Sequence, residues 1–314
     1  MANAVKTFVG TLDADVVMVE GRDRVDLLHR LSTQDLRPLA SPGRALATLF
    51  VTDKGKLVDW VLVVSVPERL LVRTSPGRGE RFAAWIERYT IMEDVRCTVA
   101  RDLWTSVLVQ GAAAASCVGL EHLPSLGEGV AQEGVWWLRG HLALGARLEA
   151  FVPRDQEPQL IERLTGCGVL RADAALIERW RIEAGVPSPL HEFRDEVNPL
   201  ELRLGRHAVS WTKGCFVGQE VLNRIDSQDK LARELAGIEV GAGIVVREGD
   251  AIVYGDERVG EVTSLASRDD GTTVGLAILR RKALGVAALS ILTAEGPRPL
   301  VLRDCPFWSE GTGG

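Results

Sequence analysis

Apolar positions recur along this chain in two periods, and the period assigns the elements. Leu27, Leu28 and Leu31 recur at helical spacing with charges between them, which predicts a helix over residues 23–31 that Thr33-Gln34-Asp35 breaks. Ala45 to Val51 and Leu57 to Val66 are apolar runs of strand length on either side of the polar turn Asp53-Lys54-Gly55-Lys56. They predict a hairpin, with Gly55 supplying the permissive backbone of the turn. Ser75-Pro76 reads as a cap followed by an N1 proline, opening a helix with Phe82, Trp85, Ile86 and Tyr89 on one side. Residues 95–110 and 134–152 read as strands. Gln156 to Leu164 and Asp173 to Ala184 read as helices, the second ending at Gly185, a residue suited to the C′ position. After Arg233 the pattern changes to short strands at close spacing: Leu235–Val240, Ala251–Tyr254, Arg258–Ser264, Thr273–Leu279, Ala288–Thr293 and Arg298–Leu302. Gly, Asp and Pro punctuate them, as in a small all-β barrel or sandwich of about six strands.

The pattern divides the chain into an α+β region over 1–232 and a β domain over 233–308, with 309–314 as a flexible tail. The 314 residues, 46% hydrophobic and 25% charged, are an ordinary globular composition with length for two or three cores. A net charge of −6 excludes a protein that coats nucleic acid and leaves room only for a local basic patch. Five cysteines (Cys97, Cys117, Cys167, Cys215, Cys305) are scattered without a C-x-x-C, and none pairs with a nearby histidine in a metal-ligand spacing. Free thiols in a reducing cytoplasm are expected, with no local metal site. The N-terminus has no apolar h-region and the run Trp60 to Val66 is too short to span a bilayer, so neither a secretory signal nor a membrane span is expected. Walker A, G-x-G-x-x-G and G-x-S-x-G motifs are absent, which removes the main support for ATP, dinucleotide and serine-hydrolase chemistry.

Four places carry candidate chemistry. Trp211-Thr212-Lys213-Gly214-Cys215-Phe216-Val217-Gly218-Gln219-Glu220 sets a thiol between two glycines, beside a lysine, ahead of a predicted helix. A cation and a helix N-terminus both favour the reactive thiolate. Asp59 is the one charge in an apolar strand. Period two puts it on a face with Leu57, Val61 and Val63, so it is either a buried, perturbed carboxylate or a residue at a solvated edge. Glu183 falls in the last turn of a helix, where the dipole disfavours a negative charge. A surface pair with Arg179 answers that, as does a ligand with adjacent N–H donors. Arg224 stands four residues after Glu220 on the predicted helix, a spacing that lets the two meet as a surface ion pair.

The run Lys213 to Glu220, with one free position at Val217, resembles the K-G-C-(aromatic)-x-G-Q-E signature of the YgfZ family, folate-binding proteins related to the T-protein (aminomethyltransferase) of the glycine cleavage system. Gly55-Lys56-Leu57-Val58-Asp59 resembles the T-protein hairpin whose acid faces tetrahydrofolate, with Trp60 where that family has a second acid. Arg181-Ile182-Glu183-Ala184-Gly185 resembles the segment whose glutamate holds the pterin. Gly21 to Asp35 resembles the opening helix of both families, with His29 and Leu31 where YgfZ members carry glutamines. The resemblance implies a GcvT-like fold, two interleaved α/β (ferredoxin-like) lobes plus a C-terminal β-barrel. It implies a cytoplasmic protein that binds tetrahydrofolate or a one-carbon derivative and assists the maturation or repair of iron–sulfur enzymes, including those that modify tRNA. Those enzymes or their assembly proteins would be the partners. In that reading Glu183 takes the pterin, Arg224 or Lys213 the anionic tail, Asp59 the one-carbon end, and Cys215 is a reactive thiol at the same cavity. An aminomethyltransferase and a folate-free scaffold are the alternatives.

Overall fold

The computed structural model describes residues 6–139, 147–194, 197–228, 231–286 and 288–304. Cys305, His141, the end of the predicted β domain and the predicted tail at 309–314 lie outside them. The chain divides into two compact units, 1–173 with 205–221, and 174–204 with 222–314.

The first unit contains two sheets. One runs in the order Ala45–Val51, Leu57–Val66, Arg69–Thr74, Asp15–Glu20, Arg96–Val99; the other runs Leu170–Arg171, Phe8–Leu12, Trp104–Gln110, Arg147–Pro153, Val135–Arg139, Gly129–Gln132. The chain therefore starts in the second sheet, builds the first and returns, so the two α/β lobes are interleaved. Alternation along the strands gives each sheet two apolar faces. Val17, Val61, Val63 and Val72 pack under the helices Arg24–Leu31 and Gly79–Glu87. Val16, Met18, Leu62 and Leu71 on the opposite face pack with Leu138 and Phe151 of the other sheet. The far side of that sheet is covered by Leu160, Ile161 and Leu164 of the helix Glu157–Gly166.

The predicted hairpin forms with the expected turn, in which Thr52 N–H donates to Lys56 O (2.8 Å). The helix expected at Ser75-Pro76 starts only at Gly79. Gly77 takes φ 67°, which no helical residue does, and the helix N-terminus is capped from elsewhere, Gly79 N–H donating to Asp15 Oδ2 (2.9 Å). The single strand expected over 95–110 is two strands in different sheets, broken where Trp104 N–H turns back to Ala100 O (2.8 Å).

In the second unit six antiparallel strands close into a barrel, in the order Arg233–Val240, Thr273–Arg280, Glu257–Ser267, Ala251–Tyr254, Ser290–Thr293, Gly296–Arg303. Closure, here through Val240 opposite Leu300, removes the open edges that a sandwich would leave. Ile238, Ile252, Val262, Leu279 and Ile291 fill the interior. The helix Ala174–Glu183 lies against the strands Glu257–Ser267 and Thr273–Arg280. Glu192, buried without access, fixes the segment after it: Ser264 Oγ donates to Glu192 Oε1 (2.6 Å) and Ser188 N–H to Oε2 (2.8 Å).

Candidate functional site

The signature belongs to the first unit and is anchored there residue by residue. The helix Arg24–Leu31 ends at Ser32, and the carbonyls around a helix end lack intrahelical partners. Lys213 supplies one: its Nζ donates to His29 O (2.5 Å), Ser32 O (2.7 Å) and Gln34 O (2.9 Å). Its ammonium also stands 5.4 Å from the centre of the Phe216 ring. Burial pushes the Lys213 pKa down to about 8, while three accepting carbonyls favour the charged form. An ammonium has three donors, and all three are engaged. Lys213 is thus a clasp on the backbone, and the cation expected to meet an anionic ligand is committed elsewhere.

Thr33 extends the attachment, its Oγ1 donating to Ala208 O (2.6 Å) and its carbonyl accepting from Ser210 N–H (2.9 Å). Phe216 is buried and Val217 packs on the helix-side core. Gly218 lies against the hairpin turn. It holds φ +81°, and a Cβ there would stand 2.5 Å from Thr52 O and 2.8 Å from Val51 Cγ2. Between these anchors Gly214 and Cys215 are exposed. Trp211, 40% exposed, is nearby in sequence. The helix Gln219–Ser227 follows, as the sequence predicts.

Asp59 sits in the same unit with no exposed surface. Phe50 is its ladder partner, which puts it on the helix-facing side with Val61 and Val63; the ladder shifts between Phe50 and Val51, so Leu57 leaves the alternation. Trp60 N–H donates to Asp59 Oδ1 (2.9 Å) and Ser75 N–H to Oδ2 (2.9 Å). Burial raises the carboxyl pKa, against the pull of the Ser75 hydrogen bond. The solvated-edge reading is overturned. The carboxylate joins its strand to the turn ahead of the helix Gly79–Glu87. His29 acts as a local cap: its Nδ1 accepts from Leu36 N–H (3.2 Å).

Glu183 and Arg224 belong to the second unit. Glu183 ends its helix, with a side chain 19% exposed, and its counter-charge is not Arg179. Arg268 Nε donates to Glu183 Oε1 (2.8 Å), and the same guanidinium donates to Glu239 Oε2 (3.0 Å). Arg179 instead donates to Asp269 (3.0 Å). The helix rests on the barrel, so a barrel strand end supplies the cation that its own surface was expected to give. Arg224 is exposed and makes no ion pair among the described residues, Glu220 included. Among the described residues no three His, Cys, Asp or Glu converge as a metal set, and no helix is long and apolar enough to cross a membrane.

Sequence reasoning missed Arg268, Thr33 and the Glu192–Ser264 link. Their partners lie 85, 175 and 72 positions away, beyond any local pattern.

No family model matches the chain. The fold is that of the glycine cleavage system aminomethyltransferase T from Bartonella henselae, with a TM-score of 0.84 over 97% of this chain and 87% of that one, at 19% identity. An aminomethyltransferase of Herpetosiphon aurantiacus is 24% identical over 303 residues, covering 92% of this chain and 83% of the relative. An aminomethyltransferase of Symbiobacterium thermophilum is 30% identical over 267 residues, covering 78% of this chain and 70% of the relative. Similarity at that level over most of both chains, together with the shared fold, places the protein: it belongs to the aminomethyltransferase family.

Proposed function

We propose that the chain binds tetrahydrofolate, or a one-carbon derivative, and uses the Cys215 thiol in the maturation or repair of iron–sulfur enzymes in the cytoplasm, including those that modify tRNA. The observation that carries this reading is the exposed thiol on a backbone clamped by Lys213, Phe216 and Gly218. A cysteine kept only for packing is normally buried; this one is exposed while its neighbours are fixed.

In this reading Glu183 accepts from the ring N–H and exocyclic amine of the pterin. Arg268 occupies one oxygen and leaves lone pairs on both, so the residue fits the group. Arg224 pairs with the anionic tail. Tetrahydrofolate supplies a carrier for one-carbon units. Asp59, buried with both oxygens held by backbone N–H groups, is a positioning residue here, and Lys213 is another. The chemistry falls to Cys215. The test is Cys215→Ala: tetrahydrofolate affinity within about twofold of wild type, and loss of complementation in a strain whose iron–sulfur tRNA-modifying activity depends on the protein. Full complementation by the variant removes the thiol from the function.

Aminomethyl transfer to tetrahydrofolate is the second reading, favoured by the names of the relatives. Trp60 in place of the family's second acid and the sealed position of Asp59 count against it. Formation of methylene-tetrahydrofolate with release of ammonia, on mixing with an aminomethyl-loaded lipoyl carrier protein, decides between the two.

A further inference from the structure

Glu183 is the last residue of the helix Ala174–Glu183, where the dipole disfavours a negative charge. The nearest arginines of that helix are engaged elsewhere. Arg179 donates to Asp269 (3.0 Å), and Arg181 donates to both oxygens of Glu178 (2.6 and 2.8 Å) and to Val186 O (2.5 Å). The cation at Glu183 comes instead from Arg268, the first residue of the turn between the strands Glu257–Ser267 and Thr273–Arg280. All of these residues belong to the second unit.

The turn fixes Arg268 at its backbone. Arg268 N–H donates to Thr272 O (2.8 Å) and Gly271 N–H donates to Arg268 O (3.0 Å). Asp270 Oδ1 tightens the same turn, accepting from Thr272 N–H (2.9 Å) and Thr272 Oγ1 (2.6 Å). The guanidinium is held on a second side, Nη1 donating to Glu239 Oε2 (3.0 Å). Glu239 is itself anchored by Arg303, which donates to Oε1 (3.0 Å) and Oε2 (3.3 Å). From this brace Arg268 Nε reaches Glu183 Oε1 (2.8 Å). Arginine–carboxylate pairs are frequently two-bond forks on one carboxylate; Arg268 divides these donors between two. Glu183 Oε2 accepts no hydrogen bond among the described residues.

We infer that Arg268 is a positioning residue for ligand recognition by Glu183: it pins Oε1, so that Oε2 is presented to the ring N–H and exocyclic amine of a pterin. The inference rests on the folate reading. The last torsion of a glutamate side chain is broad and roughly two-fold, so an unheld carboxylate has to be ordered by each ligand that binds. Fixing Oε1 in advance removes part of that ordering cost and still leaves Oε1 a second lone pair for the ligand.

The experiment is a double-mutant cycle on the full chain, read by calorimetric titration with tetrahydrofolate. Arg268→Gln should weaken binding about tenfold through loss of a charge-assisted contact. In a Glu183→Gln background the same change should cost no more than about twofold, because Arg268 acts through that carboxylate; a merely structural effect would add in full. Arg268→Lys, which keeps one charged donor for Glu183, should restore affinity to within about threefold of wild type. Arg268 is not among the residues that fill the barrel interior, so the glutamine variant should fold; Arg268→Met, which keeps an apolar stem and removes every donor, is the second variant and should match it. Arg179→Gln removes a charge from the same helix and should leave affinity within about twofold. Wild-type binding that Arg268→Gln leaves unchanged, equal losses from Arg268→Gln with and without Glu183, or an equal loss from Arg179→Gln overturns this inference and leaves the folate reading standing. No saturable binding by the wild type overturns both.

Discussion

Replacing Lys213 by methionine separates a backbone clasp from a ligand-binding cation. Methionine fills a similar volume and donates nothing. The carbonyls of His29, Ser32 and Gln34, which now accept at 2.5, 2.7 and 2.9 Å, would be left short of a partner beside a helix end. A hydrogen bond to a charged group contributes ~1.5–3 kcal/mol net. The burial that lowers the Lys213 pKa to about 8 opposes that gain, and the apolar replacement recovers some burial free energy. A loss of ~2–4 kcal/mol remains, close to the range for removing one member of a buried charged set. Hydrogen exchange reads it locally. Peptides spanning 29–36 and 208–218 should exchange about 30-fold to 1,000-fold faster, the ratio that follows from such a loss of opening free energy. Exchange unchanged in both peptides, with tetrahydrofolate affinity falling tenfold or more, would refute the clasp and return Lys213 to the ligand.

Three further outcomes follow from the same geometry. Gly218→Ala adds a Cβ 2.5 Å from Thr52 O at φ +81°; backbone strain of this kind costs ~1–3 kcal/mol, and a urea melt showing no loss would mean that the loop and the hairpin turn are not in contact. Asp59 has a folded pKa above its unfolded value, so the folded state holds the proton more tightly and this group's contribution to stability falls as pH rises from the unfolded pKa, ~3.9, through the folded one. Wild-type stability relative to Asp59→Asn should therefore decline across that window; a flat difference from acid to neutral pH contradicts the burial. Glu183→Gln should weaken tetrahydrofolate binding by ~1–3 kcal/mol while changing stability by less than ~1 kcal/mol, because its pair with Arg268 is partly exposed; unchanged affinity removes Glu183 from the site.

What was legible in the sequence was local. The hairpin from Ala45 to Val66 and the helix Arg24–Leu31 follow from period and turn chemistry within about twenty residues. The closely spaced barrel strands do as well, with Ala251–Tyr254 matched at both ends. Short strands were not legible: Phe8–Leu12 and Asp15–Glu20 are separated by two residues yet belong to different sheets, and no local pattern encodes that. Gly77 and the remote cap from Asp15 moved a helix start that Ser75-Pro76 would otherwise set. At the candidate site the signature was readable as a motif, but the partners were not. Nothing near Lys213 in sequence indicates three carbonyls about 180 residues upstream, and nothing near Glu183 indicates Arg268. Residue type points to chemistry, while long-range packing decides whether a charge remains available for it.

The most direct measurement is calorimetric titration of the full chain with tetrahydrofolate under reducing conditions, repeated with Cys215→Ala. One-to-one saturable binding, equally strong in both proteins, is the predicted result. Absence of a saturable heat in the wild type would contradict the folate assignment and leave a protein that shares the aminomethyltransferase fold without its ligand.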